Sequence, residues 1–157
     1  MSLYTVDRLA AGPFLDICAG SGITGFEALS RGAPQVVFIE VDGQMARSIR
    51  VAAKAFGISE YVKVIKGDVR RCLKRVNGAF EDHQRAACGF LDPPFIQGLA
   101  GELLAKLDQA RGLFAPDALV IVRTPDELPA ALDSFALIER RKSKRAPLWL
   151  YQASAAN

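Results

Sequence analysis

Pro13-Phe14-Leu15-Asp16-Ile17-Cys18-Ala19-Gly20-Ser21-Gly22-Ile23-Thr24-Gly25 is the stretch on which the fold turns. Pro13 to Cys18 is an apolar run of buried-strand length, glycines stop it, and Ile23 to Ser30 follows as a helix. Gly20, Gly22 and Gly25 match G-x-G-x-x-G. Such glycines let a ligand approach the backbone and permit turns that are costly for other residues. Val36 to Glu40 is a second strand rich in β-branched residues, and Glu40 lies 20 residues after Gly20. Strand, glycine turn, helix, strand and terminal acid form the α/β order that binds an adenosine-containing ligand, with the acid on the ribose hydroxyls. A turn without a ligand accounts for the glycines but not for the spacing to Glu40.

The alternation continues outward from this unit. Gly43 to Phe56 reads as a helix stopped by Gly57, Tyr61 to Lys66 as a third strand, and Val69 to Val76 as a short helix. Ala86 to Leu91 is a fourth strand, Gly98 to Ala110 a helix, Ala118 to Val122 a fifth strand and Asp126 to Leu132 a short helix. Strands alternating with helices imply a mostly parallel sheet with helices on both faces. Ser134 to Arg140 and Pro147 to Gln152 leave little room for a crossover helix, so they are expected to close the fold as an antiparallel hairpin. Residues 1–12 show no clear pattern, and Met1-Ser2-Leu3 reads as a remnant of expression.

The 157 residues suit one domain, and half of them are hydrophobic, enough for a substantial core. There is no apolar stretch of transmembrane length and no signal-peptide pattern, so a cytoplasmic protein without membrane contact is expected. Cys18, Cys72 and Cys88 form no C-x-x-C pair, and two of the three sit in apolar runs as small hydrophobes. His83 is the only histidine, which argues against a metal site. The net charge is +3. Its placement says more than its size. Arg140, Arg141, Lys142, Lys144 and Arg145 cluster at the expected hairpin turn, and Arg70, Arg71, Lys74 and Arg75 form a second group. Such clusters are commonly solvated faces, but the first is also suited to nucleic-acid phosphates.

Two ligands compete for the glycine loop. A nicotinamide dinucleotide and S-adenosylmethionine both carry adenosine, but the dinucleotide places a pyrophosphate at the loop and the methyl donor an ammonium group. Asp16 repels the first and favours the second, directly or through water, which tilts the loop toward the methyl donor without settling it. Leu91-Asp92-Pro93-Pro94-Phe95 adds the deciding chemistry. Two prolines cannot continue a parallel ladder, so they fix the chain just past the carboxyl end of the fourth strand, on the ligand side of such sheets. An exocyclic amine is a poor nucleophile because its lone pair is delocalised into the ring. The Asp92 carboxylate and the Pro93 carbonyl, held by Pro94, can accept its two N–H bonds, and Phe95 offers a face for an extruded base. Asp68, at the end of the third strand, can accept from the cofactor's adenine amino group, although alone it reads as a helix cap.

These residues resemble the class I methyltransferases with an (Asn/Asp)-Pro-Pro-aromatic motif. They are most similar to the RsmD-like family, which methylates guanine N2 in small-subunit ribosomal RNA. Leu15 to Ala33 looks very like that family's cofactor loop and following helix, above all in Glu27-Ala28-Leu29-Ser30-Arg31-Gly32-Ala33, and Phe90 to Phe95 is also similar. The resemblance runs from about residue 14 to residue 152. It implies a Rossmann-like seven-stranded sheet with a reversed final strand. It also implies S-adenosylmethionine bound by Asp16, Ala19, Gly20, Ser21, Gly22, Gly25, Glu40 and Asp68, and a target amine held by Asp92, Pro93, Pro94 and Phe95. The partner it implies is 16S ribosomal RNA or a small-subunit assembly intermediate; the charge of Arg140, Arg141, Lys142, Lys144 and Arg145 suits its phosphates, and a monomer is expected. Three features depart from the family pattern. Only about a dozen residues precede the loop, where the family has a basic hairpin segment and a further helix. Ala52 replaces an Asn, and Arg123-Thr124 stands where the family is acidic. Two enzymatic alternatives stay open: a methyltransferase for DNA adenine or another amine, and an NAD(P)-binding oxidoreductase that leaves Asp92 to Phe95 without a role. A catalytically silent RNA-binding subunit is the third.

Overall fold

The computed structural model describes residues 4–81, 84–110 and 112–155. Met1-Ser2-Leu3 and His83, singled out above, lie outside the described residues. The strands are β1 (Phe14–Ile17), β2 (Val36–Glu40), β3 (Val62–Lys66), β4 (Ala86–Leu91), β5 (Phe114–Arg123), β6 (Phe135–Arg141) and β7 (Leu148–Ala153). The helices are α1 (Val6–Ala10), α2 (Ile23–Ser30), α3 (Gly43–Ala55), α4 (Val69–Asn77) and α5 (Leu99–Gln109), with a 3₁₀ turn at Ser59–Tyr61. One seven-stranded sheet runs β3-β2-β1-β4-β5-β7-β6. Its ladders from β3 through β5 are parallel, while β7 runs antiparallel between β5 and β6. The final strand is therefore the reversed one.

Two-residue periodicity explains how one sheet feeds two cores. Leu15, Ile17, Val37, Ile39, Val120 and Val122 point to one face and pack with Val69, Cys72 and Val76 of α4 and Leu103, Leu104 and Leu107 of α5. Phe14, Val36, Phe38, Phe90, Leu119 and Ile121 point to the other and pack with Leu9 of α1, Ala28 of α2 and Ile49 of α3. The central strands read as nearly continuous apolar runs because both faces are covered.

Local chemistry sets the helix ends that matter to the site. Asp42 caps α3 by accepting from the amides of Gln44 and Met45, and Asp68 caps α4 by accepting from Arg70. Gly25 has no room for a side chain: a Cβ there would lie 2.3 Å from Phe38 Cε1 and 2.8 Å from Val36 Cγ1, so α2 rests directly on β2.

Four expectations change. Residues 126–132 form no helix. Pro129 supplies no amide inside that segment, its carbonyl accepts the Tyr151 hydroxyl at 2.7 Å, and the chain instead makes an isolated bridge between Ala131 and Ala136. The fifth strand begins at Phe114 rather than Ala118, and its register with β4 jumps between Phe114 and Leu119, around Pro116, which cannot donate to a ladder. The patternless N-terminus contains α1, short but capped by the Thr5 side chain and anchored through buried Leu9. Finally, Arg140 and Arg141 belong to β6 rather than to the hairpin turn, because the β6–β7 ladder extends to Arg141 opposite Leu148.

Candidate active site

Four carboxylates stand at or just beyond the carboxyl ends of the first four strands: Asp16, Glu40, Asp68 and Asp92. A cavity of about 360 Å³ opens there, a size suited to a small molecule. Glu40, Asp68 and Asp92 line it together with Gly20, Pro93 and Pro94. Cys18, Val41, Leu99 and Leu103 contribute to its apolar walls, and Arg70 and Arg145 to its cationic ones. A larger cavity, about 580 Å³, lies at the opposite end of the sheet between Arg85, Leu107 and Ser134, away from every residue of the predicted site.

Glu40 is buried, and its two oxygens are held separately. Oε2 accepts the Gly20 amide at 2.6 Å, and Oε1 accepts the Asp42 amide at 2.9 Å. One carboxylate thus ties the glycine loop to the start of α3 and keeps its remaining lone pairs at the cavity wall. Gly20 itself has φ +57, with open space where a Cβ would lie, so the loop backbone is approachable.

Asp16 is deeper. It is buried, its Oδ2 accepts the Gly25 amide at 2.9 Å, and it is absent from the cavity wall. Burial raises its carboxyl from the ordinary 3.8 to about 7, against the lowering effect of the Gly25 hydrogen bond and with help from the charges of Asp92 and Glu40. Asp68 is the opposite case. Its hydrogen bonds from the Arg70 side chain and amide hold it down at about 2. Cys18, at φ +60, is partly exposed, and burial pushes its thiol up to about 12, so it lines the cavity as a neutral group rather than a thiolate. Cys72 and Cys88 are buried.

Asp92 follows β4 directly. Its Oδ2 accepts Arg123 Nη1 at 3.1 Å and lies 3.8 Å from Arg145 Nη1. Its Oδ1 is buried and accepts no hydrogen bond among the described residues. Pro93 is buried, whereas Pro94 and Phe95 are exposed, and the Arg145 guanidinium carbon sits 5.7 Å from the Phe95 ring centre. The β6–β7 turn therefore folds back over the Asp92–Phe95 element.

The structure gathers some predicted residues and separates others. Gly20, Glu40, Asp68, Asp92, Pro93 and Pro94 meet at one cavity, whereas Ser21 is exposed beside it and Gly22 and Gly25 serve the packing of α2. The basic cluster divides. Arg140 pairs with Glu127 at 3.1 Å and covers Trp149, and Arg141 pairs with Glu139. Lys142 and Lys144 are exposed in the turn, and Arg145 reaches the site. Arg123 escaped prediction as a site residue. The signal was present, because it ends a strand on the ligand side and stands where the family pattern is acidic. Among the described residues no group of three or more His, Cys, Asp or Glu side chains is arranged to hold a metal, and no helix is long and apolar enough to cross a membrane.

A parallel sheet with one reversed strand inserted at β7, and a carboxylate-lined cavity at the strand ends, define the class I methyltransferases. Within that class, the chain belongs to the family described as conserved hypothetical protein 95, which matches residues 4–152. It is 32% identical over 140 residues to the ribosomal RNA small subunit methyltransferase D of Haemophilus influenzae, covering 88% of this chain and 70% of that protein. It is 29% identical over 143 residues to the protein of the same name in Escherichia coli strain K12, covering 90% and 68%. A crystal structure from Haemophilus influenzae, provisionally described as a methylase, superposes with a TM-score of 0.79 at 28% identity and covers 95% of this chain and 91% of that one.

Proposed function

We propose that this protein transfers a methyl group from S-adenosylmethionine to the exocyclic N2 amine of a guanine in small-subunit ribosomal RNA. The observation that carries this reading is Asp92 Oδ1, a buried carboxylate oxygen without a donor at the wall of an acidic cavity. Buried acceptors are nearly always satisfied, so one left open beside a cavity calls for a donor from a ligand. The relatives' shared name, ribosomal RNA small subunit methyltransferase D, supports RNA as the substrate and hence a cytoplasmic setting.

The residues fit the methyl donor. Its ammonium and sulfonium charges suit a cavity lined by Glu40, Asp68 and Asp92, where a pyrophosphate would be repelled. Glu40 would hold the ribose hydroxyls, Asp68 the adenine amino group, and Val41 and Leu103 the apolar faces. When bound, S-adenosylmethionine supplies the methyl group as an electrophilic carbon on sulfur.

The chain's own part is positioning and polarisation. Asp92 Oδ1 and the Pro93 carbonyl would accept the two amine N–H bonds, which concentrates the lone pair on nitrogen. The methylated nitrogen must lose one proton, and Asp92 Oδ1 is placed to take it. Pro93 and Pro94 keep both acceptors from drifting because their φ angles are fixed. Phe95 would stack on the base that the amine belongs to.

The test compares methyl incorporation into naked DNA, free ribosomal RNA and isolated small subunits, followed by mapping of the modified nucleotide. Labelled N2-methylguanine in RNA or subunits is expected. Incorporation only into DNA adenine would replace the substrate, and tight NADH binding without response to S-adenosylhomocysteine would overturn the reaction class.

A further inference from the structure

We infer that Arg123 is a positioning residue for this reaction, holding the Asp92 carboxylate by one oxygen so that the other stays unpaired for the target amine. The inference rests on the function proposed above. Leu91 of β4 is in register with Val122 of β5, so the next residues on the two strands, Asp92 and Arg123, come together at the sheet's end. The pair is 3.1 Å apart, with both side chains about one-fifth exposed, at 23% and 21%.

The contact has an unusual form for a stabilising ion pair. A guanidinium and a carboxylate ordinarily meet fork to fork through two parallel hydrogen bonds. Here only Arg123 Nη1 engages, and only Asp92 Oδ2 accepts. Asp92 Oδ1 and Arg123 Nε are both left buried and without a partner among the described residues. Two unsatisfied buried atoms in one pair mean that the geometry does not maximise stability. What it does achieve is a fixed carboxylate with one free oxygen. The Phe90 ring, 5.2 Å from the Arg123 guanidinium carbon, restrains the cation. Arg145 cannot substitute, since it is 3.8 Å from Oδ2 and two-thirds exposed.

Charge gives a second reason. Asp92 shares this end of the sheet with Asp16 and Glu40, and their mutual repulsion already acts on the Asp16 carboxyl. Arg123 offsets that repulsion where Asp92 must remain an acceptor. An asparagine at position 92 would present a neutral acceptor and would have no need of the cation. The role of Arg123 is therefore conditional on the residue at 92, which makes it separable from ordinary packing.

The experiment uses the full chain as wild type, Arg123→Lys, Arg123→Met, Asp92→Asn and the Asp92→Asn/Arg123→Met double variant. Single-turnover methyl transfer to the best substrate found above is measured at saturating donor. S-adenosylhomocysteine affinity and thermal midpoint are measured in parallel. Arg123→Met is expected to slow transfer on the order of 10- to 100-fold while leaving S-adenosylhomocysteine affinity within about twofold. Arg123→Lys should retain most of the lost rate. In the Asp92→Asn background, where no carboxylate needs holding, Arg123→Met should change the rate by less than about twofold, and the double variant should unfold at a higher temperature than Arg123→Met, because the stranded carboxylate is gone. A wild-type rate in Arg123→Met, or the same fold loss from Arg123→Met in the wild-type and Asp92→Asn backgrounds, overturns the inference. Should Arg123→Met fail to fold, a folded Arg123→Lys slowed about 100-fold or more overturns it equally, and transfer by Arg123→Lys within about tenfold of wild type supports it. A wild-type chain that methylates no RNA or DNA instead overturns the function on which the inference rests.

Discussion

Replacing Asp16 with asparagine separates charge from hydrogen bonding at the most buried carboxyl of the site. The asparagine side chain can still accept the Gly25 amide, which Asp16 accepts at 2.9 Å, but it never ionises. In the folded protein the Asp16 carboxyl titrates near 7 rather than at the ordinary 3.8. Between those values the folded state keeps a proton that the unfolded state has released. Stability contributed by neutral Asp16 is thus fully present below about pH 4, declines as pH rises, and is gone above about pH 7. The spacing of the two values corresponds to about 4 kcal/mol at full extent, since each pH unit is worth about 1.4 kcal/mol. Urea unfolding of wild type and Asp16→Asn in steps from pH 4.5 to pH 8 isolates this contribution, because every other titrating group is common to the two. The variant should gain on the wild type steadily across that range, with the difference levelling off beyond about pH 7. A difference that stays flat with pH would refute the reasoning, since it would mean that Asp16 is charged in the fold throughout. If the donor's cationic groups sit near Asp16, binding below pH 7 should also release a proton, read as a buffer-dependent binding heat in calorimetry.

Glu40→Ala strands the amides of Gly20 and Asp42, so it should lower stability by roughly 1–3 kcal/mol as well as weaken S-adenosylhomocysteine binding, whereas Glu40→Gln should keep part of both. Denaturant unfolding alongside calorimetry tests this, and an Ala variant of wild-type stability would contradict the cradle described here. Gly25→Ala should cost about 1–3 kcal/mol by forcing the Phe38 ring aside, checked by thermal unfolding, and an unchanged midpoint would show that the ring moves freely. Phe95→Ala should weaken productive target binding by about 1–3 kcal/mol, while Phe95→Trp retains most of it. A substrate-concentration series of single-turnover rates tells the two apart, and equal behaviour of Ala and Trp would end the stacking role. Charge reversal at Lys142 and Lys144 should flatten the salt dependence of RNA binding without touching donor affinity, and an unchanged slope would return the turn to a solvated surface.

The readable parts of this protein were those written in local chemistry or in a regular period. The alternating apolar runs announced a sheet covered on both faces, and Gly20 to Gly25 with Glu40 announced a ligand at its carboxyl end, because these signals lie within one βαβ unit. Asp92-Pro93-Pro94-Phe95 marked the target side through residue types alone, since prolines must leave a parallel ladder. The segment from Asp126 to Leu132 misled, reading as a short helix that Pro129 prevents. The five-residue α1 was too short to carry a period, and its stability comes from Leu9 in the core.

Features that depend on strands meeting out of chain order came only with the packed fold. The insertion of β7 between β5 and β6 brings Arg145 over Phe95, and the β4–β5 register brings Arg123 onto Asp92, 31 residues away in the chain. Burial cannot be read from residue identity either. Asp16 and Asp68 are the same amino acid at the same end of one sheet, yet one is pushed up to about 7 by burial and the other held at about 2 by Arg70. Residue types and their order dictated which groups the site has to work with. Packing dictated which of them are charged, which are already engaged, and that Asp92 Oδ1 is left unpaired among the described residues, because solvation and pairing exist only once distant strands lie side by side.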